Sequence, residues 1–207
     1  MTFALTFLLG LVIAFIGLIP PSMLNMTTVK ISALKGKVKA KYFALGASVT
    51  VFFQALLALL ITKMLKENQY LLAYLKEIAA IIFLGLSVYF FKKAFSVNKE
   101  TYTKKQLIKN NIVAGIVMSF LNMFAIPYYC ATGSALNMAG LVKLDDLSIL
   151  YFTFGATIGT FIILYLYSYV AQKMLHKIEH ITNNINFILG GITGLVGLLT
   201  LINLFLR

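Results

Sequence analysis

Carboxyl groups are scarce in this 207-residue chain, where six aspartates and glutamates stand against 18 lysines and arginines. Cysteine is scarcer still, with one, and there are three prolines and two histidines. A lone Cys130 excludes an internal disulfide and any paired-thiol electron relay, and it reads as a small packing residue. His176 and His180 lie four residues apart, but no third ligand stands near them, so no metal site is expected. No Asp, Glu, His or Arg falls deep in an apolar run; Glu77, Asp145 and Asp146 fall at edges. The interior therefore lacks the titrating groups through which proton-coupled carriers relay. It also lacks the carboxylates, imidazoles and thiolates a divalent cation needs. With no nucleophile beside a base, no paired carboxylates and no metal triad in those runs, no catalytic residue and no cofactor is assigned.

What the chain has in abundance is apolar length. Sixty per cent of its residues are hydrophobic, and uncharged runs recur at 1–29, 42–62, 110–142, 147–172 and 181–206. A bilayer core about 30 Å thick needs roughly 20 apolar helical residues, so five runs qualify. A sixth, 70–91, is interrupted by Lys76-Glu77 and spans if that lysine snorkels to an interface. The first run lacks the basic start and small-residue cleavage site of a signal peptide and is read as a span. Six spans leave no room for a soluble domain, so residues 1–207 are expected to form one membrane transport domain.

The positive charge is distributed by side. Alternate connections hold thirteen of the 18 basic residues: five lysines in 30–41, six in 92–109, then Lys173 and Lys177. The positive-inside rule makes these cytoplasmic and places both termini outside the inner membrane. Such loops lie against anionic lipids of the bilayer, which accounts for the charge without a nucleic-acid partner.

Internal similarity organises the spans. Gly10-Leu11-Val12-Ile13-Ala14-Phe15 matches Gly115-Ile116-Val117-Met118-Ser119-Phe120 at an offset of 105, and Leu84-Gly85 matches Leu189-Gly190 at the same offset. Tyr42-Phe43-Ala44-Leu45-Gly46-Ala47-Ser48 matches Tyr151-Phe152-Thr153-Phe154-Gly155-Ala156-Thr157 at 109. The fold class expected is thus an all-α integral membrane protein of six transmembrane helices. They form two three-helix repeats, about 1–95 and 111–207, joined by a basic cytoplasmic linker at about 96–110. Three being odd, the second repeat enters the membrane inverted.

The three prolines point to the site. Pro20 and Pro21 end the first span, and Pro127 falls within the fourth, where a ring without an N–H ends or kinks a helix. Broken backbone at membrane depth is tolerated only where it is buried in protein or lines a wet cavity. Half-helices starting at Pro21-Ser22 and at Pro127-Tyr128 would offer N–H groups to an anionic group such as a carboxylate. Asn25, Gln54 and Asn122 are amides in apolar surroundings, each needing a partner helix or a ligand. Ser48, Thr50, Thr157 and Thr160 can satisfy themselves on the preceding turn, and Tyr165, Tyr167 and Tyr169 read as an interfacial belt. The expected substrate-binding set is Pro20, Pro21, Ser22, Asn25, Gln54, Asn122, Pro127 and Tyr128. The small-xxx-small pair Gly190 and Gly194 suits tight packing or a homodimer.

Ile19-Pro20-Pro21-Ser22, the basic loop, Ala44-Leu45-Gly46-Ala47-Ser48 and the Asn122-to-Pro127 element together resemble the lysine exporter (LysE) family, which includes homoserine and threonine exporters. The resemblance covers essentially the whole chain. It implies export of amino acids or related small solutes, driven by an ion gradient. The chain departs from the family pattern in three places. Pro20-Pro21-Ser22 stands where Pro-Gly-Pro is usual, Met123–Ile126 splits the Asn-Pro pair, and the common acidic residue of the second span falls near Val51. Substrate and coupling ion are left open. Two other readings stand beside export of a zwitterion: transport of a different solute, such as another metabolite, a lipid-linked anion or a metal ion, and a non-transporting membrane scaffold.

Overall fold

The computed structural model describes residues 3–20, 22–68, 110–122 and 124–205, with scattered positions between 81 and 95; beyond Ala171 few side chains are described. Pro21, Met123 and most of the 70–91 run lie outside the described residues, as do the side chains of His176, His180 and Gly190. The chain forms two compact units, Met1–Met64 with Gln106–His176 and Leu65–Lys105 with Lys177–Arg207. Each unit draws one segment from either half of the sequence.

All described elements are helices: α1 (Phe3–Leu18), α2 (Met23–Lys35), α3 (Lys37–Glu67), α4 (Asn111–Phe120), α5 (Ala125–Met138) and α6 (Asp146–Phe205). Their ends follow local chemistry. Gly36 closes α2 at φ 88°, a conformation costly for any residue with a Cβ. Asn110 caps α4 by accepting from the N–H groups of Ile112 and Val113. Asp145 caps α6, its carboxylate accepting from the Ser148 N–H at 3.1 Å and hydroxyl at 2.8 Å. After α5, Asn137 Nδ2 donates to Val142 O at 2.8 Å and holds the turn that leads to α6.

By length and composition α3 and the Asp146–Ala171 part of α6 suffice to cross a membrane, and up to four spans result if each bent pair, α1 with α2 and α4 with α5, counts as one. The bends are 77° and 63°. The second break falls earlier than expected: α5 begins at Ala125, not at Pro127. Pro127 is the third residue of α5, in the first turn, where its missing N–H would have had no helical partner.

The first unit is built on two helix crossings made by glycine. A Cβ placed on Gly10 would collide with the Phe152 carbonyl, and one on Gly155 with the Phe7 carbonyl. At the other crossing Gly115 meets the Phe43 carbonyl and Gly46 the Ile112 carbonyl. Adding 105 to Phe7 and Gly10 gives Ile112 and Gly115; adding 109 to Phe43 and Gly46 gives Phe152 and Gly155. The two crossings thus use corresponding residues, and in them the first helix of each half packs on the long helix of the other half.

Contacts also set direction. Along α1 and α6 the pairs Phe3–Tyr151, Gly10–Phe152 and Ile19–Tyr167 ascend together, so these helices run parallel. Along α3 and α4, Gly46–Ile112, Thr50–Ile116 and Gln54–Ser119 do the same. Between the pairs the sense reverses: Lys63, near the end of α3, bonds Asp146 at the start of α6 at 2.8 Å, while Lys37 lies over the Tyr169 ring at 4.2 Å. The α5 helix lies on α1 and α3, through Tyr128 on Gly17 and Cys130 Sγ to Ala58 O at 3.3 Å. The cysteine is thus packed against a helix backbone.

In the second unit, Gly194 faces Ser87, whose Oγ lies 2.7 Å from where a Cβ would stand. Val88, Leu195, Leu198 and Ile202 of this unit are exposed.

Candidate functional site

The break between α1 and α2 leaves three consecutive carbonyls beyond the reach of α1, and side chains take all three. Asn25, fully buried, donates from Nδ2 to Leu18 O and to Pro20 O, each at 2.8 Å. Its Oδ1 accepts from the Ser22 N–H and from the Ser22 hydroxyl. All four hydrogen-bonding capacities of the amide are spent on the break itself. The remaining carbonyl, Ile19 O, accepts from Tyr167 Oη at 2.7 Å. Tyr167, expected in an interfacial belt, reaches across from α6, because its helix runs beside α1 up to this level. Pro20 is exposed at the same turn.

At the second break the brace is Gln54. Its Nε2 donates to Ser119 O at 2.9 Å, and Ser119 Oγ sits 3.5 Å from Gln54 Oε1. The same Ser119 carbonyl accepts from the Asn122 N–H at 3.0 Å as α4 unwinds. Asn122 itself is half-buried, and its carboxamide has no hydrogen bond among the described residues. Pro127 is exposed.

Tyr128 connects the two regions. Its hydroxyl donates to Ile13 O of α1 at 2.7 Å and its ring lies against Gly17, one turn before the first break. The structure therefore joins Pro20, Ser22 and Asn25 in one cluster and Gln54 with the Ser119–Asn122 turn in another, with Tyr128 reaching from α5 toward the first.

One hydroxyl position, Thr153, went unread in the sequence, and one expectation for another fails. Ser48, Thr50 and Thr157 bond the preceding turn as expected, at 2.9, 3.3 and 2.8 Å. Thr160 does not. Its Oγ1 is fully buried and makes no bond to the preceding turn, lying instead within reach of the Tyr129 hydroxyl, and Thr153 Oγ1 is fully buried with no hydrogen-bond partner among the described residues, although a helical threonine can ordinarily turn its hydroxyl to the carbonyl four residues back. Both lie on α6 two turns apart, near the buried ring of Tyr129, which meets Phe152 edge-on at 6.4 Å. The available signal was that 153 and 160 share a helical face while their repeat partners, Ala44 and Val51, are apolar.

Among the described residues no Asp, Glu, Lys, Arg or His is buried. Among the described residues no three of His, Cys, Asp and Glu converge as a metal site, and the ion pair Lys63–Asp146 sits at a helix end with Asp146 largely exposed. The arrangement can offer a ligand carbonyl oxygens, first-turn N–H groups, amides and hydroxyls, and it suits a small polar solute without a strong net charge.

Comparison with protein families finds one model, described as LysE type translocator, that matches residues 15–204. No curated protein and no solved structure matches the chain.

Proposed function

The chain belongs to the LysE type translocator family, and from that premise we propose that it exports amino acids or related small zwitterionic solutes across the cytoplasmic membrane by alternating access. It is a membrane-embedded transporter by family and by its apolar helices. The observation that carries the finer reading is opened backbone at both breaks, held by side chains from other helices. First-turn N–H groups of α2 and α5 favour a carboxylate, while the Leu18, Ile19 and Pro20 carbonyls favour an ammonium group. In the present conformation Asn25 and Tyr167 occupy those carbonyls, so cargo binding exchanges one set of donors for another. Exchange of this kind costs little net energy and lets the breaks open and close.

The matched crossings and opposed helix directions support an inverted repeat of six spans, in which the parallel pairs α1/α6 and α3/α4 rock about their glycine contacts. Lys39 and Asn110 share one end of the first unit and Lys63 and Asp146 the other. The positive-inside rule then makes the first end cytoplasmic and the N-terminus external. With no carboxylate buried among the described residues, the unpartnered Thr153 hydroxyl, and Thr160 beside the Tyr129 hydroxyl, are the groups available to a coupling cation or to the cargo.

The test is efflux of a panel of amino acids from cells carrying the chain or its variants. Asn122→Ala and Tyr128→Phe should each reduce efflux about tenfold, the worth of one ligand hydrogen bond, while membrane insertion is unchanged. Undiminished efflux in both removes these residues from the site.

A further inference from the structure

A pocket of about 300 Å³ opens where the start of α3 meets the start of α4, lined by Lys39, Tyr42, Asn110, Asn111 and Ile112. Its volume is at the small end of the range for ligand sites, roughly 300–1,000 Å³. None of the residues of either helix break lines it. Two independent features mark it as built for a ligand. The first is charge: Lys39 is exposed and no carboxylate among the described residues lies within ion-pair distance of it, and the N-terminus of α4 adds its positive dipole end. The second is Asn111, only 7 % exposed, whose Oδ1 has no hydrogen-bond partner among the described residues. A buried amide oxygen left unpaired costs about as much as a lost hydrogen bond. The terminal torsion of asparagine is broad, so the carboxamide can present either its oxygen or its Nδ2 to the pocket.

We infer that this pocket binds the headgroup of one anionic phospholipid, with Lys39 on the phosphate and Asn111 accepting from a headgroup hydroxyl. Depth favours a lipid as the source of the phosphate. The uncharged run of α3 begins at Tyr42, one turn after Lys39, so the pocket lies at headgroup level, where tyrosine and lysine concentrate. Apolar side chains continue from it into the membrane: Leu45 and Val49 on α3 and Ile112 and Ile116 on α4 are all exposed, beside the crossing at Gly46. A free phosphate has no use for that surface; acyl chains do.

The full-length protein is reconstituted in phosphatidylcholine nanodiscs with and without phosphatidylglycerol. Lipid retained per chain is counted by native mass spectrometry, and the thermal midpoint is followed as phosphatidylglycerol or inorganic phosphate is added. The wild type should retain one phosphatidylglycerol. Lys39→Gln should lower that affinity about tenfold, as expected for a charge-assisted contact, whereas Lys41→Gln, a neighbouring lysine outside the pocket, should not. Asn111→Leu should lose the lipid without lowering the midpoint measured in phosphatidylcholine alone, since the unpaired oxygen goes with it. Equal losses in K39Q and K41Q would reduce the effect to diffuse surface charge and overturn the assignment. So would an equal stabilisation by inorganic phosphate, or no preference for phosphatidylglycerol over phosphatidylcholine.

Discussion

Replacing Gly46 by alanine should destabilise the protein by about 2 kcal/mol, and the size follows from one crossing. A Cβ at Gly46 falls well inside the 3.0 Å that real Cβ atoms keep from other atoms, and the atom it meets is the Ile112 carbonyl oxygen, which belongs to helix backbone. The α3/α4 crossing must therefore open by about 1 Å. A gap of that size forfeits roughly a quarter to a half of each dispersion contact across it. It also stretches the two hydrogen bonds that bridge the crossing, Thr50 Oγ1 to Ile116 O at 3.4 Å and Gln54 Nε2 to Ser119 O at 2.9 Å, each worth about 0.6 kcal/mol inside a membrane protein. Overpacking of this kind costs about 1–3 kcal/mol. The repeat sharpens the test. Gly155→Ala, at the corresponding crossing, should cost a similar amount, and Gly46→Ala with Gly155→Ala should add. Gly46→Ala with Gly115→Ala shares one crossing, so the second methyl enters a gap already opened and the pair should fall short of additivity by about 1 kcal/mol. Equilibrium unfolding in mixed detergent micelles measures all four. Gly191→Ala is the control, because a Cβ there meets nothing within 4 Å. If Gly46→Ala behaved like Gly191→Ala, the close crossing would be wrong. If the Gly46/Gly115 pair added fully, the shared-crossing argument would fail.

Tyr167→Phe should strip the donor from Ile19 O and cost about 1 kcal/mol by the same unfolding assay, with a larger relative loss of efflux than of stability if the break is the site. The Asp145 carboxyl is held below the usual carboxylate range by the hydroxyl and N–H of Ser148. A depressed folded pKa gives a contribution that is complete above the unfolded value of about 3.9 and is lost as pH falls through the folded one. Asp145→Ala should therefore lose about 1 kcal/mol of capping energy at neutral pH and show a shallower acid limb in a pH series of unfolding midpoints; an unchanged limb would refute the cap. Reporter fusions at Lys37, Lys104 and Lys177 should all signal cytoplasm, and an external signal at Lys104 would remove the span assigned to 70–91.

Much of the architecture was legible because it is one-dimensional. Apolar runs long enough for a bilayer, lysines sorted by loop and a twice-written Gly-Ala segment are all properties of position along the chain. The candidate site was legible only as a set of scarce residues. Asn25 and Gln54 were expected to need partners because buried amides are costly, yet nothing in their spacing said that each would be spent on the backbone of a break. Pro127 marked the right helix but not the right residue, since a proline disturbs the turn before it. The Tyr167 contact went unread and Thr160 was misassigned, because whether a side chain meets lipid, a carbonyl or another side chain depends on the neighbouring helix.

By itself the sequence determined that this is a helical membrane protein and that its long apolar runs hold few titrating side chains, since those follow from transfer free energies and from residues present or missing. Only the tertiary structure decided which helices meet. Gly46 and Gly155 are repeat partners that never touch; each packs on the first helix of the opposite half. Close approach of two backbones is a property of the pair, and no single segment encodes its partner.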